Sequence, residues 1–297
     1  MLTGMSKLAK FIKPYVVTSG KGFRLKDHDP IDTGKLKLDK DSAATMLREG
    51  VERLALLQEQ LYAEQSRSVL LIFQAMDAAG KDGTIKHVMS GVNPQGCVVS
   101  SFKAPSTEEL SHDFLWRCAK VTPAKGLIGI FNRSYYEEVL AVRVHPEFLA
   151  AQRLPADCLG KHLWQQRFED IRNFEQHLVR NGTVVLKFFL HLSKGEQKKR
   201  FLKRIEDPSR NWKFSPSDAA ERLHWDDYQK VYEDAIRNTA DETAPWIVVP
   251  ADNKWYTRLV VGATVVNALE NLDLKFPTID PEARKRLQDA RRLLEAD

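Results

Sequence analysis

The residues best suited to chemistry lie in one short run, Ala75-Met76-Asp77-Ala78-Ala79-Gly80-Lys81-Asp82-Gly83, between the apolar stretch Val69-Leu70-Leu71-Ile72-Phe73 and a helical pattern that begins at Thr84. The spacing is that of a phosphate-binding loop, G-x-x-x-x-G-K-[ST], in which backbone N–H groups and a helix N-terminus surround a phosphate, the lysine reaches the outer phosphates and the hydroxyl ligates Mg²⁺. Gly80 and Lys81 keep their places, while Ala75 stands at the first glycine position and Asp82 at the hydroxyl position. On this reading the amides of Ala78, Ala79, Gly80, Lys81, Asp82 and Gly83 cradle a phosphate, and Lys81 neutralises the group transferred. Carboxylates beside a phosphate repel it unless a metal or a proton compensates. A Mg²⁺ ion held by Asp77 removes that difficulty, because Mg²⁺ takes one or two carboxylates together with phosphate oxygens. The chemistry indicated is phosphoryl transfer, from a loop that departs from the usual letters.

Two further segments add charge that such a reaction would use. In Gly129-Ile130-Phe131-Asn132-Arg133-Ser134-Tyr135-Tyr136-Glu137, Asn132 takes the place where phosphate-loop enzymes often carry a metal-binding carboxylate. Arg133 beside it can give a phosphoryl group two parallel hydrogen bonds, which lysine cannot. The lesser alternative is a surface ion pair, since Arg133 and Glu137 have the spacing of one on a helix. The adjoining Tyr135-Tyr136 pair reads as packing rather than base stacking. The second segment, Glu196 to Arg204, carries Lys199, Arg200, Lys203 and Arg204 within roughly one and a half helical turns, so they cannot all meet acidic partners on one face. A row of this kind suits a long phosphate chain. A polar turn, Ala251-Asp252-Asn253-Lys254-Trp255, is placed either to touch a nucleotide or to cap the helix that follows. His87, His112 and His191 show no metal-ligand spacing and read as structural.

These residues need a scaffold, and the pattern supplies one. Runs at 69–73, 97–102, 126–131, 183–190 and 246–250 are short and apolar or β-branched, each parted from the next by helix-like sequence, which argues for an α/β fold with a parallel sheet covered on both faces. In such sheets ligands lie beyond the carboxyl ends of the strands, where the 75–83 loop, Phe102-Lys103 and Asn132-Arg133 all fall. Apolar residues three or four apart from Leu47 to Leu61 predict an amphipathic helix over 42–65, and 161–180 predicts another that packs on the core. Residues 1–40 read as an irregular arm, and 281–297 as a terminal helix that packs only in part.

Composition narrows the class. With 297 residues, 43% of them apolar, the chain can bury a large core. The excess of 45 basic over 40 acidic residues is small, so a polyanionic partner is permitted rather than demanded. Cys97, Cys118 and Cys158 lack C-x-x-C spacing and read as reduced thiols of a cytoplasmic protein. No run reaches the roughly 18 apolar residues of a membrane span, and no aromatic-interleaved basic groove suggests nucleic acid.

Taken together, Met76 to Lys86, Val92-Asn93-Pro94-Gln95-Gly96, Ser101-Phe102-Lys103-Ala104-Pro105, His112 to Arg117, Phe131 to Glu137 and Ser193 to Phe201 resemble the polyphosphate kinase 2 family over roughly residues 40–273. The resemblance implies a three-layer αβα P-loop kinase core, similar to thymidylate kinase, with a helical lid. It implies an N-terminal arm and helix over 1–66, a core over 67–275 with the basic lid near 194–222, and a C-terminal helix over 276–297. The implied reaction moves a phosphoryl group reversibly between inorganic polyphosphate and a nucleoside mono- or diphosphate, with Mg²⁺ or Mn²⁺, in a homodimer or homotetramer. Carried onto this chain, Asp77 is the metal-binding loop carboxylate that activates the acceptor phosphate, and Lys81 and Arg133 join it as catalytic residues. Lys103, Lys199, Arg200, Lys203 and Arg204 are expected to bind phosphate, and Asn93, Asn132, Glu137 and Lys254 to face the acceptor nucleotide. The Asn132 and Glu137 combination resembles the subclass that takes both mono- and diphosphates. An ATP-dependent kinase of nucleoside monophosphates and a non-catalytic nucleotide- or polyphosphate-binding protein stay open as alternatives.

Overall fold

The computed structural model describes residues 5–34, 40–209 and 211–296. Its centre is a six-stranded sheet in the order β1-β6-β5-β2-β4-β3, formed by β1 (Val16–Val17), β2 (Ser68–Ala75), β3 (Cys97–Ser101), β4 (Ile128–Asn132), β5 (Thr183–His191) and β6 (Trp246–Pro250). The five strands expected from the sequence are all present and mutually parallel. All eight residues of β2 are buried, which is why this strand reads as a continuous apolar run rather than an alternation.

Helices cover both faces. They are α1 (Met5–Ile12), α2 (Lys40–Glu64), α3 (Lys81–Val88), α4 (Leu163–Arg180), α5 (Lys194–Glu206), α6 (Trp225–Thr239), α7 (Lys254–Glu270) and α8 (Pro281–Glu295), with several single-turn helices between them. On one face Val69, Leu71, Phe73, Phe188 and Val249 pack with Leu54 and Leu61 of α2 and Val260 and Val265 of α7. On the other, Leu70, Ile72, Phe189 and Val248 pack with Ile171 of α4 and Tyr232 and Ile236 of α6. Side chains alternate between the faces with the period of a strand, so β2, β4, β5 and β6 each supply both cores.

Register brings the functional segments level. Phe73 lies opposite Asn132, Ala75 opposite Leu190, and His191 opposite Pro250. The loop after β2 therefore opens between the end of β4 and the end of β5, and the chain reaches those two neighbours by connections on opposite sides. Such a crevice is where open α/β sheets bind ligands.

Two expectations need correction. The arm is not wholly irregular: Leu8, Ile12 and Tyr15 enter the core, Tyr15 Oη lies 2.6 Å from Tyr256 Oη, and β1 pairs antiparallel with β6 through Val16 opposite Ile247. Parts of that arm, residues 1–4 and 35–39, lie outside the described residues. A two-residue strand has no period to detect, and its partner is distant along the chain. The C-terminal helix does less packing than expected, since none of its described residues is buried.

Candidate active site

The loop leaves β2 at Ala75 and enters α3 through Gly80, whose φ of +99° only glycine adopts without strain. Ala78 is also left-handed, with φ +65°. Thr84 N–H closes the first turn on Gly80 O at 2.9 Å. The first N–H groups of a helix have no intrahelical acceptor, and the helix dipole is positive there, so this turn is made for an anion. Lys81 Nζ donates to Ala75 O at 3.0 Å. Burial, helped by the nearby Arg133 charge, pulls the Lys81 ammonium below its ordinary pKa, while Asp77, Glu137 and Asp82 oppose the shift.

Arg133 leaves β4 with φ +65°, and its amide donates to Phe73 O at 3.0 Å. Its Nη2 reaches Asp77 Oδ1 at 3.3 Å, across the strand ends. Residues Tyr135–Val139 form a 3₁₀ turn, so the α-helical spacing behind the Arg133–Glu137 surface pair does not arise. The Glu137 charge and, less strongly, that of Asp77 raise the Arg133 pKa against the cost of burial. Asn132 Nδ2 donates to Asp82 Oδ1 at 2.8 Å, which gives the carboxylate at the hydroxyl position a partner. The buried Gln74 amide lies between Ser134 Oγ at 3.1 Å and Glu137 Oε1 at 2.9 Å.

Behind this turn both tyrosines are fully buried and donate to Glu175 Oε1, Tyr135 at 3.0 Å and Tyr136 at 2.8 Å. Lys187 of β5 donates to Glu175 Oε2 at 2.6 Å and to Thr239 O at 2.7 Å. Burial raises the Glu175 pKa and lowers that of Lys187, each opposed by the partner's charge.

Beyond the loop lies a cavity of about 490 Å³ lined by Asp77, Lys103, Arg133 and Glu137 on its polar side and by Phe102, Pro105, Val142 and Phe148 on its apolar side. An apolar slot ending in convergent charges suits a nucleoside that carries phosphate. Sequence reasoning assigned no role to four other lining residues, Arg117, Asp218, Arg222 and Tyr228. Arg117 donates to Lys103 O at 2.9 Å and its guanidinium lies 5.6 Å from the Phe102 ring centre. Arg117 ends the His112 to Arg117 string, which carries part of the family resemblance. Asp218 and Arg222 come from the short turns between α5 and α6, which have no period to read, and Tyr228 comes from α6.

Several expected site residues stand elsewhere. Arg200 does not join an open cationic row: it is buried, Nη1 donates to Ala78 O at 3.0 Å and Ala79 O at 2.9 Å, and Nη2 to Ala251 O at 2.7 Å and Asp252 O at 2.9 Å. Four carbonyls outbid solvent for a planar five-donor group. Lys199 is exposed with a Glu196 oxygen 3.9 Å away, Lys203 is exposed, and Arg204 is half-buried with its guanidinium 5.7 Å from the Phe201 ring centre. Asn93 is exposed and accepts from Gln95 N at 3.0 Å, capping a turn outside the cavity lining. Lys254 lines a different cavity, with Trp255, His87 and Arg258. In the turn before it, Asp252 accepts from Ser193 N at 2.8 Å and Ser193 Oγ at 2.6 Å, so that turn anchors the start of α5.

A divalent cation fits these residues in one particular way. No group of three or more His, Cys, Asp or Glu is arranged to hold a metal ion among the described residues. Mg²⁺ does not need such a cage when phosphate oxygens and water complete its shell. Asp77, with 34% of its side chain exposed, is open to share one, whereas Asp82 is engaged by Asn132.

Residues 37–277 match the family model described as polyphosphate kinase 2. The chain is 52% identical over 282 residues to the ADP-polyphosphate phosphotransferase of Rhodopseudomonas palustris, covering 92% of this chain and 98% of that protein. It is 44% identical over 274 residues to the AMP/ADP-polyphosphate phosphotransferase of Meiothermus ruber, with the same two coverages, 92% and 98%. The crystal structure of polyphosphate kinase 2 from Arthrobacter aurescens TC1 superposes with a TM-score of 0.83 at 42% identity, covering 92% of this chain and 95% of that one.

Proposed function

The chain belongs to the polyphosphate kinase 2 family, and from that premise we infer how its site divides the work of polyphosphate-dependent nucleotide phosphorylation. The protein is a polyphosphate:nucleotide phosphotransferase. In our reading the terminal phosphoryl group of inorganic polyphosphate sits on the loop amides of residues 78–83, and the acceptor nucleotide fills the cavity of about 490 Å³ beyond Asp77. An ionised acceptor phosphate oxygen attacks phosphorus in line, the bond to the rest of the chain breaks, and a polyphosphate one unit shorter leaves with the electron pair. No general base is required, because the nucleophile is already ionised.

Lys81 and Arg133 neutralise the charge that spreads over the transferred oxygens. Asp77 would hold a Mg²⁺ or Mn²⁺ ion, which would supply further charge neutralisation. Lys199, Lys203 and Arg204 guide the remaining polyphosphate, Lys103 and Glu137 border the acceptor in the cavity, and Asn132, which is not among the residues lining it, acts on the acceptor side only through Asp82 of the loop. One observation carries this reading: Arg133 and Asp77 meet at 3.3 Å where the phosphate loop opens into the cavity that both line.

We propose that both nucleoside mono- and diphosphates are accepted. Support comes from the amide at Asn132 in place of a carboxylate and from the relative that is named for AMP and ADP together. The test is the product profile from AMP, ADP, GMP and GDP with long-chain polyphosphate and Mg²⁺. ADP and ATP should form from AMP, ATP should form from ADP, and Asp77→Ala should lose at least about a thousandfold in kcat. Absence of any phosphorylated nucleotide product in every arm would overturn the reading, and turnover of diphosphates alone would overturn the dual acceptor range. We further propose a cytoplasmic homodimer or homotetramer. The three free cysteines suit a reducing compartment, and α2 leaves Leu56 and Tyr62 exposed for a subunit contact.

A further inference from the structure

Three carbonyls of the phosphate loop meet side chains of α5. Gln197 Nε2 donates to Asp77 O at 3.0 Å, and Arg200 Nη1 donates to Ala78 O at 3.0 Å and Ala79 O at 2.9 Å, so three successive loop carbonyls end on two side chains of one helix, three residues apart. Both side chains are buried, Gln197 at 2% and Arg200 at 8% exposure. Each is itself held in place. Glu196 Oε1 accepts from Arg200 Nε at 2.8 Å, and Gln197 Oε1 accepts from Arg222 Nη1 at 2.8 Å. The second edge of the Arg200 guanidinium grips Ala251 O and Asp252 O, which ties the loop after β2 to the turn after β6.

We propose that Gln197 and Arg200 are positioning residues that set the phosphate loop by its carbonyls, so that the face of α5 they occupy is a fixed wall of the phosphate site. A nest aims consecutive N–H groups at an anion only if the carbonyls between them turn outward and find donors. Ala78, at φ +65°, lies in a conformation that a residue with a Cβ keeps only when its surroundings over-determine it. Arg200 supplies that determination, and a lysine cannot, since it lacks the planar fork that serves two peptide carbonyls on each edge. The role rests on the phosphotransferase reading above for its consequence in catalysis, though not for its geometry.

The test compares Arg200→Lys and Gln197→Met with the parent in two ways. In protein free of nucleotide and polyphosphate, amide hydrogen exchange should rise about tenfold across residues 75–84 in Arg200→Lys and stay unchanged across 126–132. In turnover, kcat should fall roughly tenfold or more for AMP and ADP alike, while the slope of log polyphosphate affinity against log salt keeps its parental value, because no phosphate contact is lost. Unchanged loop exchange in Arg200→Lys, together with a slope reduced by about one charge in the neutral variant Arg200→Gln, would make Arg200 a direct phosphate ligand and overturn the proposal. Should Arg200→Lys fail to fold, Gln197→Met carries the same test: a smaller rise in exchange over 75–84 supports the clamp, and none overturns it. A parent that makes no ATP from polyphosphate would defeat the phosphotransferase reading while leaving the exchange result to judge the clamp.

Discussion

Asn132 and Asp82 form a pair in which each explains the other's departure from the common pattern. A carboxylate at the loop's hydroxyl position would repel phosphate, and the amide at the end of β4 engages it at 2.8 Å. Asn132→Asp would set two carboxylates against each other, and Asp82→Asn would remove the charged acceptor. Hydrogen bonds to charged groups contribute about 1.5–3 kcal/mol when buried and about 0.2–1 kcal/mol at exposed pairs such as this one, so each single change should lower kcat/KM for ADP with polyphosphate by roughly two- to fivefold. The double exchange, Asn132→Asp with Asp82→Asn, rebuilds the bond with donor and acceptor reversed and should recover most of that loss. Steady-state kinetics of the four proteins checks it, and a double variant no better than either single would show that the pairing is not what matters. At this scale the sequence was informative about residue type. Asp77, Lys81 and Arg133 could be picked out because few roles demand those side chains beside a glycine-rich turn. Arg200 is not legible in the sequence for a physical reason: a cation in a basic run reads the same whether it faces solvent or four backbone carbonyls.

Among the elements, the strand-to-turn segment that carries Arg133 depends on a buried cluster. Glu175 of α4 receives both tyrosine hydroxyls and the ammonium of Lys187, which is fully buried on β5. Removing one partner of such a pair strands the other charge, at a cost of about 3–5 kcal/mol, whereas replacing both with apolar groups is often neutral. Glu175→Gln should therefore lower the unfolding free energy by about 3 kcal/mol in urea titrations, and Glu175→Leu with Lys187→Met should recover most of it. Equal losses in both proteins would assign the cost to packing instead. The five parallel strands and the long helices were legible because buried strands and amphipathic helices write their period into the chain. The two-residue β1 was not, since its existence depends on β6 offering a free edge rather than on any local pattern.

For the molecule as a whole, the described residues divide between a body that shares two continuous cores and a terminal helix that shares neither. In α8, Leu287, Leu293 and Leu294 are 57%, 73% and 77% exposed. Removing residues 280–297 should leave the unfolding free energy of the remaining chain within about 1 kcal/mol, measured by denaturant titration at low protein concentration. A larger loss would mean that the helix packs on the body. No helix among the described residues is long and apolar enough to cross a membrane. What the sequence determined by itself was the kind of chemistry and the order of the elements: a glycine, a lysine and two aspartates between a buried strand and a helix carry local information that no distant contact can alter. What the tertiary structure decided was partnership. Arg133 with Asp77, Asn132 with Asp82, and Arg200 with the loop carbonyls join residues 50 to 122 positions apart. Such contacts follow from sheet order and register, which bring strand ends together regardless of their distance along the chain.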